Sequence, residues 1–173
     1  VWIEKFSALR HRLQRDGGWL RELGKLESSP RLASRPWLVV VLMIVLPAIY
    51  HKSIARKMIP HLRDGQVVLL HPEASCGALE FRKEMKDMGC TADVVVGAAC
   101  TLLYSTRIQT NGDVYIFGIK SEVPMAALPA TDNAKLVAAI HPQLPWFKIV
   151  SNVVEVSLDN LNAMMHPAPM LLN

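Results

Sequence analysis

Apolar residues follow two rhythms along this chain, and the alternation between them predicts its elements. Residues 37–46 read Trp-Leu-Val-Val-Val-Leu-Met-Ile-Val-Leu, the most apolar stretch of the sequence. Val39, Val40, Val41, Ile44 and Val45 are β-branched, so the run predicts a strand buried on both faces, as in parallel sheets covered by helices. Pro47 closes the run well short of the roughly 20 apolar residues that a membrane span needs. Ser53 then caps a helix over residues 54–62, with Ile54, Met58 and Leu62 on one face. After the turn at Asp64-Gly65, residues 66–70 form a second apolar strand. Residues 77–88 form a helix with a Phe81, Met85, Met88 stripe, ended by Gly89. Residues 92–96 give a third strand. Residues 114–117 give a fourth, after the Asn111-Gly112 turn. Strand and helix in alternation is the pattern of a parallel α/β sheet with right-handed crossovers.

The flanks differ from this centre. Residues 1–36 are basic and irregular. Phe6, Leu9 and Leu13 recur at helical spacing until Gly17-Gly18 interrupts them, and residues 28–36 read as loop. A helix over residues 133–140 turns Ala134, Val137 and Ile140 inward. His141-Pro142-Gln143-Leu144-Pro145 then forms a rigid linker, where a domain boundary is expected. Beyond it one long helix is predicted over residues 153–165. Asn152 is the candidate N-cap, and Glu155 completes a capping-box-like pair.

Composition narrows the class. The 173 residues are 51% apolar and 20% charged, which suits one ordinary hydrophobic core and excludes disordered, collagen-like and coiled-coil classes. A net charge of +4 argues weakly for an anionic ligand and does not make a nucleic-acid binder. Cys76, Cys90 and Cys100 are odd in number and match no zinc spacing, so a reducing, cytoplasmic setting is expected and no metal site. Val1 at the start and the apolar run Met170-Leu171-Leu172-Asn173 at the end lead to the expectation of a fragment.

Two constellations can carry chemistry. Open parallel sheets bind ligands beyond the carboxyl ends of their strands. That rule selects Pro47-Ala48-Ile49-Tyr50-His51, His71-Pro72-Glu73-Ala74-Ser75-Cys76-Gly77 and Gly97-Ala98-Ala99-Cys100-Thr101. Small residues and prolines there let a ligand approach the backbone, and they equally make simple turns. On the C-terminal helix, Val154, Leu158, Leu161 and Met165 share one face, and Glu155, Asp159, Asn162 and His166 share the adjacent one. His166 precedes Pro167, which breaks α geometry there. The polar stripe reads either as a solvated face or as carboxylates beside a general acid/base histidine. No Gly-x-Ser-x-Gly elbow, Walker loop or Gly-x-Gly-x-x-Gly occurs.

Three stretches together resemble the opine dehydrogenases, the octopine/nopaline dehydrogenase family. The first runs from Pro47-Ala48-Ile49-Tyr50-His51 through Gly65-Gln66-Val67-Val68-Leu69 to Gly77-Ala78-Leu79-Glu80-Phe81. The second is Phe117-Gly118-Ile119-Lys120-Ser121-Glu122-Val123-Pro124 with Ala127-Leu128-Pro129-Ala130. The third runs from Ser157-Leu158-Asp159-Asn160 to His166-Pro167-Ala168-Pro169-Met170 and is the most specific. The resemblance covers residues 38–173.

It implies an α/β fold, an incomplete Rossmann-type parallel sheet followed by the start of an all-helical domain. Residues 1–36 would be an unassigned segment, 37–145 the C-terminal part of an NAD(P)-binding domain, and 146–173 the start of a helical substrate domain. The reaction implied is NAD- or NADP-dependent reductive condensation of an amino acid with a 2-oxo acid through an imine. The alternatives are a related 2-oxo or hydroxy acid reductase and a non-catalytic remnant. The resemblance assigns acid/base work to His166, cofactor contacts to Leu46, Pro47, Ala48 and Pro72, and substrate contacts to Asn162 and Asn173. The implied partners are small-molecule substrates, with no nucleic acid and no membrane, and a homodimer is allowed. The family's Gly-rich dinucleotide loop belongs before residue 38, where no such motif is visible. Its Asn-Pro-Gly segment is replaced here by His71-Pro72-Glu73-Ala74.

Overall fold

A computed structural model describes residues 41–110, 112–160, 165 and 167–172. The expectations for residues 1–36, and those for Asn162, His166 and Asn173, lie outside the described residues.

The order of elements begins with β1 (Val41–Ile44), α1 (His51–Met58), β2 (Val67–Leu70), α2 (Gly77–Asp87) and β3 (Val95–Ala99). Then come β4 (Tyr104–Ile108), β5 (Val114–Ile119), β6 (Val123–Leu128), α3 (Asn133–Ile140), β7 (Phe147–Ile149), α4 (Val153–Leu158) and α5 (Pro167–Leu172). Five strands form one sheet in the order β1-β2-β3-β6-β7. β1, β2 and β3 are parallel neighbours, joined by the helical crossovers that parallel pairing requires.

The apolar runs become strands because the central ones have water on neither face. Every residue of β2 and β3 is buried. A built Cβ on Gly77 at the start of α2 would touch Leu70, whereas one on Gly97 would touch Leu136 of α3 and Leu69. Side chains alternate along a strand, so Leu70 faces α2 and Leu69 faces α3, and the sheet lies between two helical layers. Glu84 ties the first layer together: Arg56 Nε donates to it at 2.7 Å and Lys52 Nζ lies 3.3 Å away. On the other side, Asn133 accepts from Ala127 N–H at 2.7 Å and donates to the Val150 carbonyl at 3.1 Å, which pins α3 to the sheet.

Several expectations are corrected. The sheet is mixed, because β6 pairs antiparallel with β3, and β7 then runs parallel to β6. The run at 114–117 is not a further strand of this sheet. It lies in β5, which pairs antiparallel with β4 in a separate ribbon. The connection explains this: Gln109 N–H bonds to the Asp113 carbonyl at 2.8 Å and Gly112 has φ +87°, a tight turn that only antiparallel neighbours can share. β7 belongs to the sheet, so the sheet continues past the linker at residues 141–145. The helix expected over 153–165 stops at Leu158. Ser157, Asp159 and Asn160 offer side-chain groups that compete with helical backbone bonds. Its start is as expected, with Asn152 Oδ1 accepting from Val154 and Glu155 N–H at 3.0 and 3.1 Å. β1, expected to be buried on both faces, is half-buried except at Ile44, because among the described residues it pairs only with β2.

Gly97 is where the sheet admits α3 most closely, with a built Cβ only 2.7 Å from Leu136 Cδ1. Leu136 is itself fully buried. Gly97→Val is expected to destabilise the fold by about 1–3 kcal/mol through overpacking, read from denaturant unfolding midpoints.

Candidate functional site

The three parallel strands leave the sheet at one edge, and the loops after them converge there. Ile44 and Leu70 are paired at the ends of β1 and β2, and His71 N–H continues the ladder to the Ile44 carbonyl at 2.9 Å. Glu73 N–H bonds to the Ala99 carbonyl at 2.9 Å, which ties the loop after β2 to the end of β3. Leu46, Pro47 and Ala48 therefore follow β1 out of the same edge that Pro72 leaves after β2. Val45, Leu46, Ile49 and Tyr50 are exposed, so this strand end presents an uncovered apolar strip. The His71–Pro72 peptide is cis.

A cleft of about 750 Å³ opens beside that edge. Pro72 and Ala74 form one wall, Cys100 and Thr101 the floor, the β4–β5 ribbon another wall, and Asn160 closes the side nearest α4. Arg107 and Lys120 both line it, and among the described residues no carboxylate does. Lys120 Nζ donates to Thr101 Oγ1 at 2.7 Å. The arrangement favours an anionic ligand, since two cations in the lining attract negative charge. Burial pushes the Cys100 thiol above its ordinary value, so it is held as the thiol rather than as a nucleophilic thiolate. A hollow of about 500 Å³ lined by Ile59, Asp64 and Cys90 lies at the opposite edge, before β2 and β3, where open α/β sheets do not bind ligands.

Sequence reasoning passed over the buried polar groups behind the cleft. His71, in the loop after β2, is 5% exposed, accepts from Leu103 N–H through Nε2 at 2.8 Å and packs edge-on against Phe147 at 5.2 Å. Its desolvation, with Lys120 nearby, lowers its pKa to about 4. Glu73 is 1% exposed and accepts from Ala78 N–H at 3.1 Å. His51 Nε2 donates to the Leu46 carbonyl at 3.0 Å, and its Nδ1 has no partner. A polar pair, His71 and Glu73, directly after a fully apolar strand was the available signal.

The loop from Glu73 to α2 carries backbone strain. Ala74, Ser75 and Cys76 have φ of +53°, +66° and +60°, the left-handed region that non-glycine residues enter at about 1–2 kcal/mol each. Glycine would enter that region without the penalty. Among the described residues no group of histidines, cysteines and carboxylates is placed to hold a metal ion, and no helix is long and apolar enough to cross a membrane.

The fold is that of known dehydrogenases. An octopine dehydrogenase structure with NADH and L-arginine superimposes with a TM-score of 0.59 at 22% identity, over 74% of this chain and 32% of that one. A yersinopine dehydrogenase structure with NADP+ bound gives 0.53 at 15% identity, over 73% of this chain and 31% of that one. Among curated proteins, an opine dehydrogenase from Arthrobacter sp. (strain 1C) is 40% identical over 133 residues, 77% of this chain and 37% of the relative. This chain is a relative of the opine dehydrogenases and spans little more than a third of that protein's length. No protein-family profile matches it.

His71 gives a pH signature. Its pKa is lowered in the folded state, so the unfolded chain binds a proton first as pH falls. Stability is expected to decline as pH drops from about 6.5 towards 4, and His71→Gln is expected to flatten that part of the profile in thermal melts.

Proposed function

We propose that this chain contributes the strand-end edge and substrate cleft of an NAD- or NADP-dependent opine dehydrogenase. That enzyme would join an amino acid to a 2-oxo acid as an imine and reduce it to a secondary amine dicarboxylate. The observation that carries the reading is the cleft with Arg107 and Lys120, open at the carboxyl ends of parallel strands, in a chain 40% identical to an opine dehydrogenase. Both substrates and the product bear carboxylates. A cleft with two cations and no lining acid suits them by charge.

The cofactor would lie along the edge formed by Leu46, Pro47, Ala48 and Pro72. The exposed apolar strip at Val45, Leu46, Ile49 and Tyr50 fits a flat, partly apolar ring. The chemistry that the cofactor supplies when bound is hydride donation to the imine carbon. The remaining work falls to side chains. Lys120 and Arg107 would hold substrate carboxylates. His166, with Asn162 and Asn173 as substrate contacts, would move the proton at the imine nitrogen. Desolvation keeps His71 neutral at physiological pH, so it adds no positive charge behind the cleft.

The test is oxidation of NADH and NADPH by the purified protein with pyruvate and a panel of amino acids. Oxidation that requires both substrates supports the reading, and His166→Ala is expected to lower kcat by about 10²- to 10⁴-fold. Oxidation with the 2-oxo acid alone would assign a 2-oxo acid reductase instead. A cooperative melt without any turnover would point to a non-catalytic chain.

A further inference from the structure

Glu73 is the most deeply buried carboxyl beside the cleft, and its neighbours define what it can do. Its Oε2 accepts from Ala78 N–H at 3.1 Å, in the first turn of α2. Its Oε1 meets Ser157 Oγ in a short hydrogen bond. Ser157 Oγ also accepts from Cys76 N–H at 3.0 Å and lies 2.8 Å from the Val153 carbonyl. A serine hydroxyl has one proton. Carbonyls only accept, so when that proton goes to Val153, the bond between Ser157 and Glu73 needs its proton from Glu73. With Glu73 as the donor, the four-membered chain closes with every partner satisfied: Ala78 N–H to Glu73, Glu73 O–H to Ser157, Cys76 N–H to Ser157, and Ser157 O–H to Val153.

We propose that Glu73 is a positioning residue that, as a neutral carboxylic acid, donates to Ser157 and clamps the strand-end loop at residues 71–77 to α4. The inference rests on the functional reading above, because α4 leads along the chain to His166 and the clamped loop carries Pro72 of the cofactor edge. The clamp also crosses the strained Ala74-Ser75-Cys76 turn, which a loose loop would relax out of. Burial raises the Glu73 pKa, in the direction the clamp requires, and outweighs the lowering by Ala78 N–H and by a Ser157 hydroxyl turned to donate to the carboxylate. The titratable groups facing Glu73 are His51 on α1, whose charge would oppose that rise, and Cys100 at the end of β3, held as a thiol.

The sign follows from linkage. A carboxyl whose folded pKa is raised contributes stability fully below the unfolded Glu value and loses it as pH rises through the folded value. Glu73→Gln keeps a neutral donor and acceptor in the same place and does not titrate. In thermal melts it is expected to match the wild type on the acid side and to exceed it by several degrees on the alkaline side. Ser157→Ala and Glu73→Ala are expected to melt lower at both. In turnover, Glu73→Gln is expected to keep kcat within a few-fold, while Glu73→Ala and Ser157→Ala lose about 10²-fold at nearly unchanged KM for the cofactor. A Glu73→Gln protein whose melting temperature tracks the wild type at every pH would overturn the neutral clamp. A Glu73→Ala protein with wild-type kcat would overturn the positioning role. Absence of opine turnover in the wild type would defeat the functional reading, and the melting profiles would still decide the clamp.

Discussion

The backbone of β2 and β3 lies where no water reaches, and their peptide groups must find partners within the sheet. Every residue of both strands is buried, so the ladder from Val67 to Leu70 against Val95 to Ala98 cannot slip without stranding polar groups. β1 joins the same ladder through its pairing with β2, in parallel register. Parallel register has a geometric consequence. All three strands end at one edge, and the chain must leave that edge three times. The loops at residues 45–50, 71–77 and 100–103 therefore leave together, and the cleft forms where the latter two meet the β4–β5 ribbon.

The chemistry of the edge follows from what those loops bury and what they expose. Lys120 and Arg107 stay at the cleft wall, where a carboxylate ligand can replace water around them. His71 and Glu73 turn back under the loop and are desolvated, so each is driven towards its neutral form. Charge is thus concentrated on the open side and suppressed on the packed side. That division keeps uncompensated charge away from the packed side.

The relationship to opine dehydrogenases and the departures from the family pattern meet in the same segment. Ala74, Ser75 and Cys76 occupy left-handed backbone where glycine is the unstrained choice. The strain persists because the loop is tied at both ends, by Glu73 N–H to Ala99 and by Cys76 N–H to Ser157. The fold likeness to octopine and yersinopine dehydrogenases is a property of the sheet and its helices. At the cleft wall this chain places Lys120, Arg107 and Phe117.

The strand at Val67–Leu70, the helix starts at Gly77, Asn133 and Asn152 and the overall α/β class are legible in the sequence, whereas the third strand, expected over residues 92–96, lies at Val95–Ala99. Each depends on local period, capping and turn chemistry. Leu46, Pro47, Ala48 and Pro72 follow the strands β1 and β2 out of one edge of the sheet. The direction of β6 is not legible, because Val123–Leu128 carries the same apolar signal in either orientation and only pairing with β3 decides it. The same holds for Phe147–Ile149, three residues that become a strand because β6 offers them an edge. The buried roles of His71, Glu73 and Ser157 escape any local reading. Glu73 and Ser157 are 84 positions apart in the chain and meet only because α4 packs over the ends of β3 and β6. Period and propensity report on neighbours along the chain, whereas burial, and the hydrogen bonds and protonation that burial enforces, depend on contacts that exist only once the sheet has closed its layers.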